Sequence, residues 1–190
     1  ILKLNSSGSV VWHKNYGGSY HERANDVQET TDGGYIVVGV TSSADGDVTL
    51  INNANVSSGN RGINDELWVL KLNSTGDIMW QKLHGTYVST SAKSVILTSD
   101  GGYLLAGSNY FDGGDIVRDN HGYEDAWVLK LNSSGDVIWN KSFGGWYHDH
   151  ANSIVATRDG GFILAGMAAS SDLPGAYGGI QLDGYLAKMN

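Results

Sequence analysis

Residues 127–145 read "WVLKLNSSGDVIWNKSFGG". Two runs of β-branched and aromatic residues flank Asn-Ser-Ser-Gly-Asp, a polar turn of the kind that joins antiparallel strands. Nearly the same words stand at 68–85, "WVLKLNSTGDIMWQKLHG", and at 1–18, "ILKLNSSGSVVWHKNYGG". Trp12, Trp80 and Trp139 correspond, as do Trp68, Trp127 and Tyr185. A second marker, "DGGY" or "DGGF", begins at Asp32, Asp100 and Asp159. The chain is a tandem repeat, and the period governs how every other segment is read.

Residues 1–190 form a single repeat domain, with copies at approximately 1–68, 69–127 and 128–185. "LAKMN" at 186–190 restates "ILKLN" at 1–5 and begins a fourth copy. Each copy holds four strand-like runs. The clearest set is "AWVLKLN" (126–132), "DVIWNKSF" (136–143), "ANSIVAT" (151–157) and "FILAGMA" (162–168). None is long or periodic enough to prefer a helix. Tight turns of the "NSSGD" and "TRDGG" types alternate with longer links. One longer link is the "GGWYHDH" type at 17–23, 85–91 and 144–150; the other spans 42–64, 108–124 and 169–182. Alternation places the tight turns on one face and both longer links on the other, where function is expected. Repeated four-stranded units with Gly and aromatic markers predict an all-β fold, a β-propeller-type array of four-stranded antiparallel blades with permuted ends. "WVLKL" and "FILAG" are apolar at successive positions because both faces of a blade pack on neighbours. On this reading Trp12, Trp68, Trp80, Trp127 and Trp139 are structural wedges, buried between blades.

The composition agrees: 27 Gly, 1 Pro, 6 Trp and 10 Tyr suit short strands and turns. A net charge of −8 argues against nucleic acid and anionic membrane surfaces as partners. No apolar run approaches the roughly 20 residues of a membrane-spanning helix. The absence of Cys excludes disulfides and thiolate chemistry. A start at Ile1, inside a strand pattern, is expected of a processed chain or a fragment.

Four groups of side chains qualify as candidate sites. His148 and His150 flank Asp149 at a spacing that aims two imidazoles the same way from a strand, as zinc requires. Asp45 and Asp47 ("ADGDV"), Asp112 and Asp115 ("DGGDI"), and the loop-closing Asp65 and Asp125 supply hard oxygens, so calcium is the candidate cofactor. The alternative is ordinary Asp-Gly turn chemistry. Sequons stand at Asn5, Asn55, Asn73, Asn132 and Asn140, and three of them fall on the equivalent tight turn. That turn favours "NSSG" with or without a glycan. Tyr20, Tyr87, Trp146 and Tyr147 are loop-face aromatics suited to stacking on sugar rings, or to padding blade edges. No nucleophile elbow or paired-carboxylate pocket marks a catalytic centre.

The pattern W-V-x-K-L-N-x-x-G-D-x-x-W, then G-G, then D-G-G-Y-x-x-x-G resembles the tandem propeller-type repeats of secreted and cell-surface proteins of bacteria and archaea. The resemblance covers essentially the whole chain. It implies an extracellular or cell-surface location and no single shared activity. It also implies a strand order, with "ANSIVAT" innermost, then "FILAGMA", then the Trp127 strand, and the Trp139 strand outermost. "NSTGDIMW" is similar to the outer turn of quinoprotein-type propellers, but those carry Asp four residues before the Gly, where this chain has Leu72. The expected function is a non-enzymatic extracellular structural or adhesive module. Its partners are further copies, through residues 1–16 and 183–190, or further blades of a longer chain. The alternative is a carbohydrate-binding propeller; a third reading is a propeller hydrolase or quinone enzyme.

Overall fold

The computed structural model describes residues 1–49, 65–85, 89–110, 122–170 and 183–189. Among these residues the chain is all-β, built as four antiparallel sheets. The first sheet is the hairpin β1 (Leu2–Leu4) and β2 (Val10–His13). The second runs β3 (Glu22–Glu29), β4 (Tyr35–Thr41), β5 (Glu66–Leu72), β6 (Ile78–His84), each strand beside the next. The third repeats that order with β7 (Thr90–Leu97), β8 (Tyr103–Asn109), β9 (Asp125–Leu131) and β10 (Val137–Phe143). The fourth holds β11 (Asp149–Ala156), β12 (Phe162–Ala168) and β13 (Asp183–Met189). The folded units therefore begin at the "ANSIVAT" type of run, part-way through each sequence repeat. Their strand order is the expected one.

The glycines of D-G-G-Y-x-x-x-G have separate duties. The first, as at Gly101, sits at φ +80°, where only glycine is unstrained. The second lets β9 pass: a Cβ on Gly102 would meet the Leu131 carbonyl at 2.3 Å. The third faces a bulge in the neighbouring strand, and a Cβ on Gly107 would meet the Ser91 carbonyl at 1.8 Å. That bulge recurs in β3, β7 and β11, between Ala24 and Asp26, Ala92 and Ser94, and Ala151 and Ser153. In β3 it brings Asn25 and Asp26 into bonds with the next sheet. Asp26 accepts the Val95 amide at 2.9 Å, and the Asn25 amide donates to the Ala92 carbonyl at 2.6 Å.

The second and third sheets are apolar on both faces because each is covered on both faces. Ile36, Val38, Leu67 and Val69 of the second sheet pack on Val95, Leu105, Trp127 and Leu129 of the third. The other face of the third, with Leu104, Ala106 and Val128, packs on Ala151, Ile154 and Leu164 of the fourth. On its other side the second sheet buries Val37, Trp68 and Leu70 with Val48, and Ile1 and Tyr16 pack against that cluster. A cleft of about 130 Å³ remains beside them, lined by Ile1, Tyr16, Glu22, Val37, Trp68 and Leu70 among others. The far face of the fourth sheet is open: Leu186 is 70% exposed, although its counterparts Val69 and Val128 are fully buried.

Candidate functional site

Two kinds of built site emerge: a joint that repeats between sheets, and an aromatic cluster on the long-link face.

The joint begins with the Asn-x-x-Gly-Asp turn. In the turn at 73–77, Asn73 Oδ1 accepts the amides of Thr75 (3.0 Å) and Asp77 (2.8 Å), which closes the loop. Gly76 then lies under the ring of Trp12, so that a Cβ there would meet the indole at 3.2 Å. Trp12 Nε1 donates to the Ser74 carbonyl (3.2 Å) and Tyr16 Oη to the Gly76 carbonyl (2.6 Å). Lys14 pairs with Asp77 and holds that carboxyl well below the usual range, helped by Thr75 and Asn73. The next joint copies this. Gly135 lies under Trp80, His84 Nε2 meets the Gly135 carbonyl at 3.1 Å, and Lys82 pairs with Asp136 at 2.9 Å. Each Trp also leans on the aromatic residue of the neighbouring D-G-G-Y turn: Trp12 on Tyr35 at 5.8 Å and Trp80 on Tyr103 at 6.2 Å.

At Trp139 the joint is half made. Its ring stacks on Phe162 at 6.3 Å, but among the described residues no turn covers it, and it is 36% exposed. Lys141, two residues on, is exposed. At the opposite end, nothing lies within 4 Å of the Cβ direction of Gly8. That first turn carries Ser9 where the others carry Asp77 and Asp136.

The expectation of equivalent buried wedges is thus corrected. Trp68 (5%) and Trp127 (0%) are core residues. Trp12 and Trp80 are half-buried caps over turns, and Trp139 is more open still. The lysines of the joint were missed. Their signal was present as Trp-x-Lys at Trp12, Trp80 and Trp139.

On the other face, the candidate calcium residues hold the chain's own backbone. Asp45 accepts the Ser19 amide (2.7 Å) and hydroxyl (2.5 Å), and Asp47 accepts the Gly17 amide (3.1 Å). Asp65 accepts the Ser42 hydroxyl at 2.8 Å. Strand register aligns Asp125 with Glu66, not with Asp65, because Asn109 faces Asp125 as Thr41 faces Glu66. Asp125 is fully buried, and burial raises the Glu66 carboxyl. Among the described residues no group of three or more His, Asp or Glu side chains is placed to hold a metal ion. Asp112, Asp115, Asn55 and Tyr87 lie outside the described residues.

Of the sequons, Asn73 and Asn132 donate their amide nitrogens to Asp77 (3.0 Å) and Asp136 (3.2 Å). Asn5 Oδ1 closes the exposed first turn, and Asn140 lies within β10. Tyr20 is 51% exposed, and its amide donates to Ser43 at 2.8 Å.

His148 and His150 do point the same way, and what they share is Glu124, at 3.5 and 3.3 Å. Glu124 also accepts the Ser108 hydroxyl at 2.7 Å. Asp149, between them, turns inward and is held by the Gly145 amide (2.9 Å) and the Ser170 hydroxyl (2.6 Å). The ring of Tyr123 stacks on His148 at 5.6 Å, and Tyr110 meets it edge-on at 5.9 Å. Trp146 and Tyr147 precede His148 on the same link, 66% and 40% exposed. Tyr110, Tyr123 and Glu124 were not anticipated; only a register aligning 110 and 122–124 with the link brings them there.

No family model matches this chain. It is 26% identical over 150 residues to "Regulatory protein FlaEY" of Caulobacter vibrioides, covering 76% of this chain and 15% of that protein. The chain thus spans a small part of that relative's length. A solved structure of a protein of unknown function from Bacteroides caccae aligns over 84% of this chain and 58% of that one, at 13% identity and a TM-score of 0.33.

Proposed function

We propose that the chain is a non-enzymatic structural repeat module of the propeller type, placed outside the cell, that extends by the turn-on-tryptophan joint. One observation carries this reading: the joint is built twice with the same chemistry and stands ready a third time at Trp139 and Lys141. The occupant is a further repeat whose turn carries Asn-x-x-Gly-Asp. A second copy of this chain fits less well, because its free turn brings Ser9 to Lys141 and leaves the ammonium without a carboxylate. The Gly-, Asn- and Ser-rich composition, the sequons and the resemblance to secreted repeats support an exterior location.

The test uses a synthetic peptide with the sequence of residues 132–143, a turn followed by its strand. Binding is read from the emission of the 190-residue chain, with Trp139→Phe identifying the responding indole. The expected result is saturable binding that weakens about tenfold when the peptide carries Ser in place of the turn Asp, a loss of about 1.4 kcal/mol. Lys141→Glu abolishes it. Equal binding of the two peptides, or head-to-tail assembly of the chain alone through Lys141, overturns the proposal.

A further inference from the structure

We infer that the seam between residues 122–124 and the 144–148 link binds a neutral carbohydrate. The backbone sets the seam closely. Gly122 sits against the Gly145 carbonyl, where a Cβ would come within 2.0 Å, and the Asp149 amide donates to the Glu124 carbonyl at 2.7 Å. Four aromatic residues gather at this seam with large exposures: Tyr123 63%, Trp146 66%, Tyr147 40% and Tyr110 36%. Tyr123 stacks on His148 and is still 63% exposed.

The repeat does not require the two tyrosines Tyr110 and Tyr123. Counted along the repeat, the preceding joint has Ser42 and Asn64 where this one has Tyr110 and Tyr123, and Tyr87 where this one has Trp146. Exposed aromatics in a cluster, beyond the needs of packing, mark a binding surface. Their neighbours define the ligand. Glu124 holds the imidazoles of His148 and His150 by their Nδ1 atoms, which sets a polar edge beside the rings. A ligand matching both must present an apolar C–H face and an edge of hydroxyls, which is the chemistry of a pyranose. The net charge of −8 disfavours acidic glycans.

The experiment is titration calorimetry of the 190-residue chain with cellohexaose and mannohexaose, with benzyltrimethylammonium as the cationic probe. The expected result is saturable binding of at least one hexaose and none of the cation. Tyr123→Ala and Trp146→Ala should each weaken it at least tenfold while melting as the parent does, since both rings are mostly exposed. Glu124→Gln should weaken it several-fold. Trp139→Ala, at the joint, should leave it unchanged, so loss of the joint and loss of this site are told apart. No heat with either hexaose, preference for the cation, or full binding by both aromatic variants would overturn the assignment.

Discussion

At the scale of single residues, two tryptophans on the adjacent strands β9 and β10 differ in energetic weight. Trp127 is fully buried within the core shared by the second and third sheets, whereas Trp139 is 36% exposed. Trp127→Ala is expected to destabilise by about 3–5 kcal/mol, the usual range for a large buried aromatic. Trp139→Ala should change stability by less than about 1 kcal/mol, as for an exposed site. Urea denaturation of the two variants decides this, and equal losses would contradict the burial argument. Trp127 also lacks something that Trp68 has. Trp68 Nε1 donates to Gln81 Oε1 at 3.0 Å, while the buried Trp127 Nε1 has no partner among the described residues. The residue at Gln81's position in this sheet is Asn140, shorter by one methylene. Asn140→Gln is therefore expected to stabilise by about 1 kcal/mol, the net value of one hydrogen bond. A thermal melt should show a rise of about 2–4 °C for a chain of this size; no rise means that the longer amide does not reach the indole.

At the scale of elements, the hairpin turns were legible because their chemistry is local. Asn, Gly and Asp close 73–77 and 132–136 through bonds within five residues, so the turn type is written in the turn itself. The strand order also followed from the repeat. What could not be read was which neighbour each tryptophan touches, since Trp12 and Ser74 meet only after whole sheets stack. The aromatic cluster was half legible: Trp146 and Tyr147 stand in a visible link, while Tyr123 reaches them through strand register alone. A third element was legible only in retrospect. Lys71 and Lys130 on the third strand of each sheet reach back to Asp32 and Asp100 at 2.8 Å, and Lys188 to Asp159. The lysines at 71 and 130 are buried; the carboxylates are about half exposed. The lysine, then the Thr hydroxyl and a Gly amide, hold Asp32 and Asp100 well below the usual carboxylate range. A carboxyl with a depressed folded pKa stabilises fully above its unfolded value, and that stabilisation is lost as pH falls through it towards the folded one. Stability is therefore expected to decline below about pH 5. Asp100→Asn should cost about 1 kcal/mol at neutral pH, after allowance for solvent screening of the exposed carboxylate. It should also flatten part of the acid limb. Melting curves from pH 7 downward check both; an acid limb unchanged in the variant would assign the pH dependence elsewhere.

At the scale of the whole molecule, stability is a sum over neighbours, as in repeat proteins generally. The third sheet has packed sheets on both faces, through the clusters centred on Leu105 and on Val128. The fourth shares only one face. Its Ile154 and Leu164 are buried, yet Val155 is 52% exposed and Leu186 70% exposed on the other side. Removing a packed neighbour from one face leaves apolar area in water, at roughly 25 cal/mol per Å². Losing the fourth sheet uncovers Leu104, Ala106 and Val128, but leaves the core around Trp127 intact. Opening of the fourth sheet should therefore precede unfolding of the third and not require it. Native-state hydrogen exchange is expected to show amides of β12 exchanging at least tenfold faster than those of β8, a difference of about 1.4 kcal/mol in opening free energy. Addition of the joint-filling peptide should narrow that gap, because it ties the fourth sheet to Trp139 on the third. Uniform protection across β8 and β12 would show that the sheets unfold as one unit and that the neighbour-sum picture does not apply to this chain.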